Sequence, residues 1–123
     1  MMSENTEKAL YQQALSRFGL ERQLRMVQEE CAELIVAVSK VIREPGNVER
    51  IKDLIEETAD VQIMCGQLAI IYGKDKIDAM MLKKHNRLRK RLVAMPDGEN
   101  GGWVLADSAP DSKRNKEGKE TAG

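Results

Sequence analysis

Two clusters of acidic residues have the types and spacing that could bind a divalent cation. The sequence EECAE occupies residues 29–33, and EETAD occupies residues 56–60. On a helix, residues three apart lie about one turn apart on the same face. The pairs that share a face in this way are Glu30 with Glu33, and Glu57 with Asp60. Clustered carboxylate oxygens suit Mg²⁺, Mn²⁺ or Ca²⁺, whereas a structural Zn²⁺ prefers Cys and His.

The connection between the two clusters predicts that they face each other. Pro45-Gly46-Asn47 stops one helical pattern and makes a tight turn before the next. Glu33 lies 13 residues before Gly46, and Glu57 lies 11 residues after it. In an antiparallel hairpin these positions are level to within about a turn, so the acidic residues of both helices converge. Their repulsion and desolvation oppose folding unless a cation lies between them.

A simpler interpretation is that these glutamates form a solvated helix face. It is the better one for the first cluster alone, because EExxE is common on surface helices, and Glu56 is the acid we expect to be only solvated. Asp60 favours the metal site, because it lies within an apolar part of the sequence, between Ala59 and Val61. An acidic residue there is unfavourable unless it is paired.

The hydrophobic spacing predicts four helices that position these clusters, over about 6–18, 20–44, 48–72 and 76–93. The second and third carry apolar stripes with alternating steps of four and three. These stripes are Leu20, Leu24, Val27, Cys31, Leu34, Val38 and Val41, and then Leu54, Thr58, Val61, Cys65, Leu68 and Tyr72. The predicted caps and stops are Ser3 or Asn5, Gly19, Asn47, Gly73 and Asp75.

The predicted fold class is an all-α antiparallel bundle of about four helices per chain. The third helix is apolar nearly all round, and so short a chain can hardly surround it, so we expect oligomerisation to complete the bundle. Residues 1–93 form the predicted domain. Residues 94–123 form a predicted flexible tail that is partly disordered, in which the patch at Trp103 packs on its own bundle or on a partner.

Composition narrows the class of protein. The 20 basic and 20 acidic residues leave no net charge, so non-specific nucleic-acid binding by the whole domain is not expected. No signal peptide or membrane-spanning stretch is recognised, and we expect a soluble cytoplasmic protein. Cys31 and Cys65 have no metal-ligand spacing and are expected to be small buried hydrophobic residues.

The two acidic clusters together resemble the EExxE…ExxD signature of the MazG-like all-α nucleoside triphosphate pyrophosphohydrolases. EECAE is followed by the apolar stretch LIVAVSKVI, and ETAD by VQIMCGQLAII. The resemblance covers roughly residues 20–92. Two departures are that Met26 stands where many relatives have a charged residue, and that the tail after Ala94 matches no shared pattern.

The resemblance implies an activity and a set of residues. Members of the family use Mg²⁺ to hydrolyse nucleoside triphosphates to the monophosphate and pyrophosphate, and they are dimers or tetramers. The metal ligands would be Glu30, Glu33, Glu57 and Asp60, with Mn²⁺ as a second suitable ion. Glu29 would act beside them as a catalytic residue with Glu30, by orienting the attacking water or by binding a further ion.

The fourth helix carries a concentration of basic residues near its end. Cations at a helix C-terminus are favoured by the helix dipole and by solvation, so they need no further role. The functional interpretation is that some of them bind the triphosphate, whose charge the metal alone does not cancel. The residues at suitable helical spacing are Lys83, Asn86, Arg87 and Lys90.

Two other functions remain open from the sequence. One is a narrower dUTP or dCTP pyrophosphatase of the same superfamily. The other is a non-catalytic helical oligomerisation module that binds a partner through its basic fourth helix.

Overall fold

The computed structural model describes residues 1–98 and Ala106, and its secondary structure is entirely helical over that part of the chain. The four helices are α1 (Glu4–Phe18), α2 (Leu20–Arg43), α3 (Val48–Tyr72) and α4 (Lys74–Ala94). The predicted all-α fold class is therefore confirmed. The predictions for Trp103 and for most of the tail fall outside the described residues.

Helices α2 and α3 form the antiparallel hairpin that the Pro45-Gly46-Asn47 turn predicts. Asn47 is the N-cap of α3, and its side-chain oxygen accepts from the backbone N–H groups of Glu49 at 3.0 Å and Arg50 at 3.2 Å. Its amide also donates to Oε2 of Glu44 at 2.8 Å, across the turn. One residue thus begins α3 and fixes the connection.

Single glycines separate the other helices. Gly19 and Gly73 have φ angles of 91° and 108°, a backbone region that residues with a Cβ rarely adopt. Each ends one helix and precedes the next. The predicted cap at Asp75 is wrong, because Gly73 leaves no room for a separate cap and α4 already begins at Lys74. Asp75 lies in the first turn, where the helix dipole favours an acid.

The core of the described chain is thin. Its buried apolar residues are Ala37, Val41 and Met64, and it also buries the polar pair Gln23 and Gln67. Nε2 of Gln23 donates to Oε1 of Gln67 at 2.6 Å, which links α2 to α3. A core this small leaves most apolar side chains of the chain partly in water.

Helix α1 crosses α3 at Gly66. A Cβ at that position would collide with the ring of Tyr11, so the missing side chain lets the two helices approach. Helix α1 also contacts α2, whereas α4 contacts only α3. No residue of α4 is buried, and it therefore projects from the hairpin rather than folding back along it.

The predicted apolar stripes are only partly covered. Leu20 and Val38 on α2 are exposed, as are Thr58, Cys65 and Tyr72 on α3. The contact between the two helices includes Ala37, Val41 and Met64, of which only Val41 belongs to a predicted stripe.

The cysteine prediction is wrong for Cys65, which is exposed, while Cys31 is half-buried; both are free thiols. The sequence shows that Cys65 belongs to an apolar stripe. It does not show that this position of the stripe is left exposed.

Candidate metal centre

Three glutamates from two helices come together in the middle of the hairpin. Glu30 and Glu33 on α2 and Glu57 on α3 each present a carboxylate oxygen, and these oxygens all lie within 4.8 Å of one another. Glu30 and Glu33 are one turn apart on α2, and the 45–47 turn brings Glu57 level with them. We call these residues the glutamate cluster.

Two oxygens of the glutamate cluster are buried without a hydrogen-bond partner. They are Oε2 of Glu30 and Oε2 of Glu57. A carboxylate oxygen removed from water without a donor is strongly unfavourable, and it is most so in its charged form. No described side chain donates a hydrogen bond to either of these two atoms, so both are free to bind a cation.

The electrostatics of the cluster reflect this crowding. Burial raises the pKa of Glu30, and the charges of Glu33 and Asp60 raise it further. Burial also raises the pKa of Glu57, with additional contributions from the neighbouring Glu33 carboxyl group and from the charges of Asp60 and Glu30. No basic residue acts in the opposite direction on either group. Burial and the neighbouring carboxylates therefore dominate the electrostatics of Glu30 and Glu57.

The structure places the other predicted acidic residues around the cluster. Asp60 is half-buried and close enough to affect Glu30 and Glu57, although it does not belong to the closest set of three. Glu29 is exposed beside Glu30 and contributes to its raised pKa. Glu56 is exposed, as expected for the solvated member of the second cluster.

A cavity lies on each side of the glutamate cluster along the hairpin. The cavity toward the 45–47 turn, here called the loop-side cavity, has a volume of about 340 Å³. Its lining includes Glu33, Lys40, Asp53 and Glu57. The cavity toward α1, here called the α1-side cavity, has a volume of about 290 Å³. Its lining is Phe18, Arg22, Gln23, Met26, Glu30, Asp60, Ile63 and Met64.

The predicted basic residues of α4 do not reach this centre within one chain. Neither of the cavities beside the cluster has a residue of α4 in its lining. All four residues are exposed, because α4 projects away from the hairpin: Lys83, Asn86, Arg87 and Lys90.

Sequence reasoning did not identify Gln23 and Lys40 as residues of this region. Gln23 is a buried polar residue on the side of α2 that faces α3. A polar residue at a helix position that should be apolar is the signal that could have revealed Gln23. Lys40 follows Glu33 by seven residues, which is two helical turns on the same side. That spacing could have drawn attention to it.

The donor set fits a hard divalent cation. Two oxygens bound to one Mg²⁺ at about 2.1 Å lie at most about 4.2 Å apart. The glutamate oxygens are within 4.8 Å of one another, so small side-chain rotations would bring them to ligand distance. A bound cation would give the two unpartnered buried oxygens a ligand contact. It would also compensate the negative charges of the glutamates.

Comparisons with models of protein families, with curated proteins and with solved structures found no match to this chain.

Proposed function

We propose that this protein is a metal-dependent pyrophosphohydrolase that converts a nucleoside triphosphate, including a non-standard or deoxy one, to the monophosphate and pyrophosphate. The observation that supports it most directly is the pair of buried carboxylate oxygens without hydrogen-bond partners, one from Glu30 on α2 and one from Glu57 on α3. Mg²⁺ is the proposed cofactor and Mn²⁺ an alternative to it. The proposed location is the cytoplasm; among the described residues, no helix is long and apolar enough to cross a membrane.

The carboxylates have distinct roles in this proposal. Glu30, Glu33, Glu57 and Asp60 hold the cation, which when bound neutralises phosphate charge and lowers the pKa of a water. Glu29, exposed at the edge of the cluster, orients the attacking water and accepts its proton. The water oxygen bonds to the α-phosphorus as the bond from that phosphorus to the α–β bridging oxygen breaks. Pyrophosphate leaves with the bridging oxygen.

A homo-oligomer is part of the proposal, because the described chain leaves many large apolar side chains in water. Ile35 on α2 is 67% exposed and Ile55 on α3 is 65% exposed. The apolar residues of α4 are also exposed; they include Met80, Met81, Leu82, Leu88 and Leu92. Exposed apolar surface on this scale marks an interface, and a domain with so small a core is stabilised by association.

An oligomer also offers a way for α4 to contribute. Because α4 does not approach the glutamate cluster of its own chain, its basic residues would contact a bound triphosphate only at the site of another subunit. In this proposal Lys83, Asn86, Arg87 and Lys90 bind substrate across a subunit interface. Charge-assisted hydrogen bonds from these residues would cancel the phosphate charge that the cation leaves.

The test is pyrophosphate release from a panel of ordinary and modified nucleoside triphosphates, with Mg²⁺ and with EDTA. The variant is Glu57→Gln, and the matched control is Glu56→Gln, since Glu56 is the adjacent but exposed acid. We expect metal-dependent release that Glu57→Gln loses and Glu56→Gln keeps. Activity restricted to dUTP or dCTP would select the narrower pyrophosphatase, and release of single phosphates would contradict the proposed cleavage position.

The exposure of α4 favours a second candidate function, which is a helical oligomerisation module that binds a partner through this helix. A helix with no buried residue and a basic face has the character of a docking element. This candidate predicts that a folded protein shows no turnover, and that neither Mg²⁺ nor Glu57→Gln affects binding by α4.

A further inference from the structure

The two cavities and the glutamate cluster lie in line along α2. Gln23 lines the α1-side cavity, Glu30 and Glu33 belong to the cluster, and Lys40 lines the loop-side cavity. Seven residues separate Gln23 from Glu30, and seven separate Glu33 from Lys40. Each separation is about 10 Å along the helix axis. An elongated ligand would therefore meet different chemistry at its two ends.

The α1-side cavity has the lining that a nucleobase requires. Phe18, Met26, Ile63 and Met64 give it apolar walls, and Gln23 adds an amide. Arg22, whose guanidinium lies over the Phe18 ring, adds a cation. Sites for small heterocycles combine such walls with a small number of placed polar groups. The cavity opens directly onto the cluster, since Glu30 and Asp60 are also in its lining.

Gln23 is held in a fixed position but keeps hydrogen-bonding capacity. It is only 6% exposed, and its Nε2 donates to Oε1 of Gln67. The amide nitrogen of Gln67 points to Sδ of Met64 at 3.9 Å. Gln23 therefore retains its carbonyl oxygen and one N–H, a paired acceptor and donor of the kind that matches the edge of a base.

The loop-side cavity has the charge pattern of a polyphosphate site that requires a cation. Lys40 is the only basic residue in its lining, against three acids, Glu33, Asp53 and Glu57. Helix side chains lean toward the N-terminus, so the Lys40 stem leans toward Glu33 and the cluster. Without a bound cation, the three carboxylates repel a phosphate group. With a cation bound, the phosphate can enter the cavity and contact Lys40.

We propose that the substrate lies along the hairpin with its base in the α1-side cavity against Gln23 and its β- and γ-phosphates in the loop-side cavity beside Lys40. This orientation rests on the pyrophosphohydrolase function proposed above. It puts the α-phosphate at the glutamate cluster, between the two cavities. It also makes Gln23 the residue that discriminates between bases and Lys40 the residue that binds the leaving pyrophosphate.

The experiment measures kcat/KM for triphosphates carrying each of the four common bases, for wild type and for Gln23→Met. We expect the ratio between the best and the poorest base to change by about tenfold, since a paired amide contact discriminates on that scale. The matched control is Gln67→Met, which breaks the same buried hydrogen bond from the side that does not line the cavity. It should change the ratio less than Gln23→Met does, because Gln23 keeps its own amide, while lowering stability.

Lys40→Gln tests the other end of the substrate. We expect a higher KM for every triphosphate and an unchanged ratio between bases. Arg43→Gln is its control, because Arg43 is an exposed cation near the same end of α2 that lies outside both cavities. It should leave KM unchanged.

The outcomes separate this orientation from the function on which it rests. Equal changes of base ratio in Gln23→Met and Gln67→Met, or no change in either, would overturn the orientation while turnover by wild type upholds the function. A change of base ratio in Lys40→Gln would reverse the orientation and so overturn it. Absence of pyrophosphate release by the folded wild-type protein would contradict both the proposed function and the proposed orientation. If Gln23→Met does not fold, Gln23→Asn keeps a buried amide, shortens the side chain by one methylene and gives the same comparison.

Discussion

At the scale of single residues, the raised pKa values of Glu30 and Glu57 record a conflict within the glutamate cluster. Burial and the neighbouring carboxylates oppose ionisation of both groups, and no described cation relieves it. A divalent cation would favour the ionised form and reverse this effect. The same atoms therefore disfavour the metal-free fold at neutral pH and would favour the proposed metal-bound one.

Thermal stability gives the first prediction. Because a ligand that binds only the folded state stabilises it, Mg²⁺ at 100 times its dissociation constant should add about 2.7 kcal/mol to the free energy of unfolding. Differential scanning fluorimetry should show Tm rising with Mg²⁺ for wild type and for Glu56→Gln, but not for Glu57→Gln. An equal rise in both variants would place the ion elsewhere.

The pH dependence of stability gives the second prediction. In EDTA, the folded state binds protons at Glu30 and Glu57 more tightly than the unfolded chain does, since both pKa values are raised. Their favourable contribution is complete below the ordinary carboxyl pKa and is lost as the pH rises through the raised values. Urea unfolding at a series of pH values should show this loss, and Glu57→Gln should reduce it.

Saturating Mg²⁺ should remove the same loss of stability, because the cation holds the carboxylates in their ionised form. Metal affinity should correspondingly fall as the pH is lowered, and isothermal titration calorimetry would measure it. Affinity that does not depend on pH would show that the glutamate cluster is not the binding site.

At the scale of elements, α3 depends on one cap. Asn47 satisfies two backbone N–H groups at the start of α3 and bonds to Glu44 across the turn. Replacing an N-cap residue with Ala costs about 1 kcal/mol. We expect Asn47→Ala to lower the free energy of unfolding by about that amount in urea titrations. Ser3→Ala, at the cap of the exposed end of α1, should have a smaller effect.

The crossing of α1 and α3 predicts a change in Tm on Gly66→Ala whose sign depends on Tyr11. In a helix interior, Gly→Ala normally stabilises by about 1 kcal/mol. At Gly66 the new Cβ would collide with the Tyr11 ring, so Gly66→Ala should lower Tm instead. In a Tyr11→Ala background, the same substitution should raise Tm. A rise in both backgrounds would mean that α1 does not lie against Gly66.

The sequence predicted these elements well but not how they face one another. The four helices, the tight turn and the caps at Asn47 and Gly73 depend on local chemistry, so they could be predicted from neighbouring residues. The exposure of Cys65 could not, because it depends on which side of α3 faces α2. The buried Gln23–Gln67 bond joins residues 44 apart, and no local pattern reveals such a pairing.

The same distinction applies to the candidate site. The convergence of Glu30, Glu33 and Glu57 followed from helical spacing plus one short turn, and the structure brings them together. Whether the basic residues of α4 reach the glutamate cluster depends on the direction that α4 takes after Gly73. That direction depends on the conformation of one glycine, which spacing alone does not determine.

At the scale of the whole molecule, the small core gives the last prediction. We expect the melting temperature to rise with protein concentration, because folding and association are coupled in an oligomer. Ile55→Glu should lower Tm and shift the chain toward monomer in analytical ultracentrifugation. Lys52→Glu, an exposed polar control on the same helix, should change neither. A monomeric wild type with a concentration-independent Tm would contradict the proposed assembly.

The single-residue joint at Gly73 has a mechanical consequence. Helix α4 is a rigid rod of 21 residues, about 30 Å long, anchored at one end by that glycine. A rotation of 10° about a backbone bond of Gly73 that is perpendicular to the α4 axis displaces the far end of α4 by about 5 Å, one helical pitch. A substitution such as Gly73→Ala should therefore change the direction of α4. Its effect on assembly and on the positions of Arg87 and Lys90 should greatly exceed its effect on the hairpin.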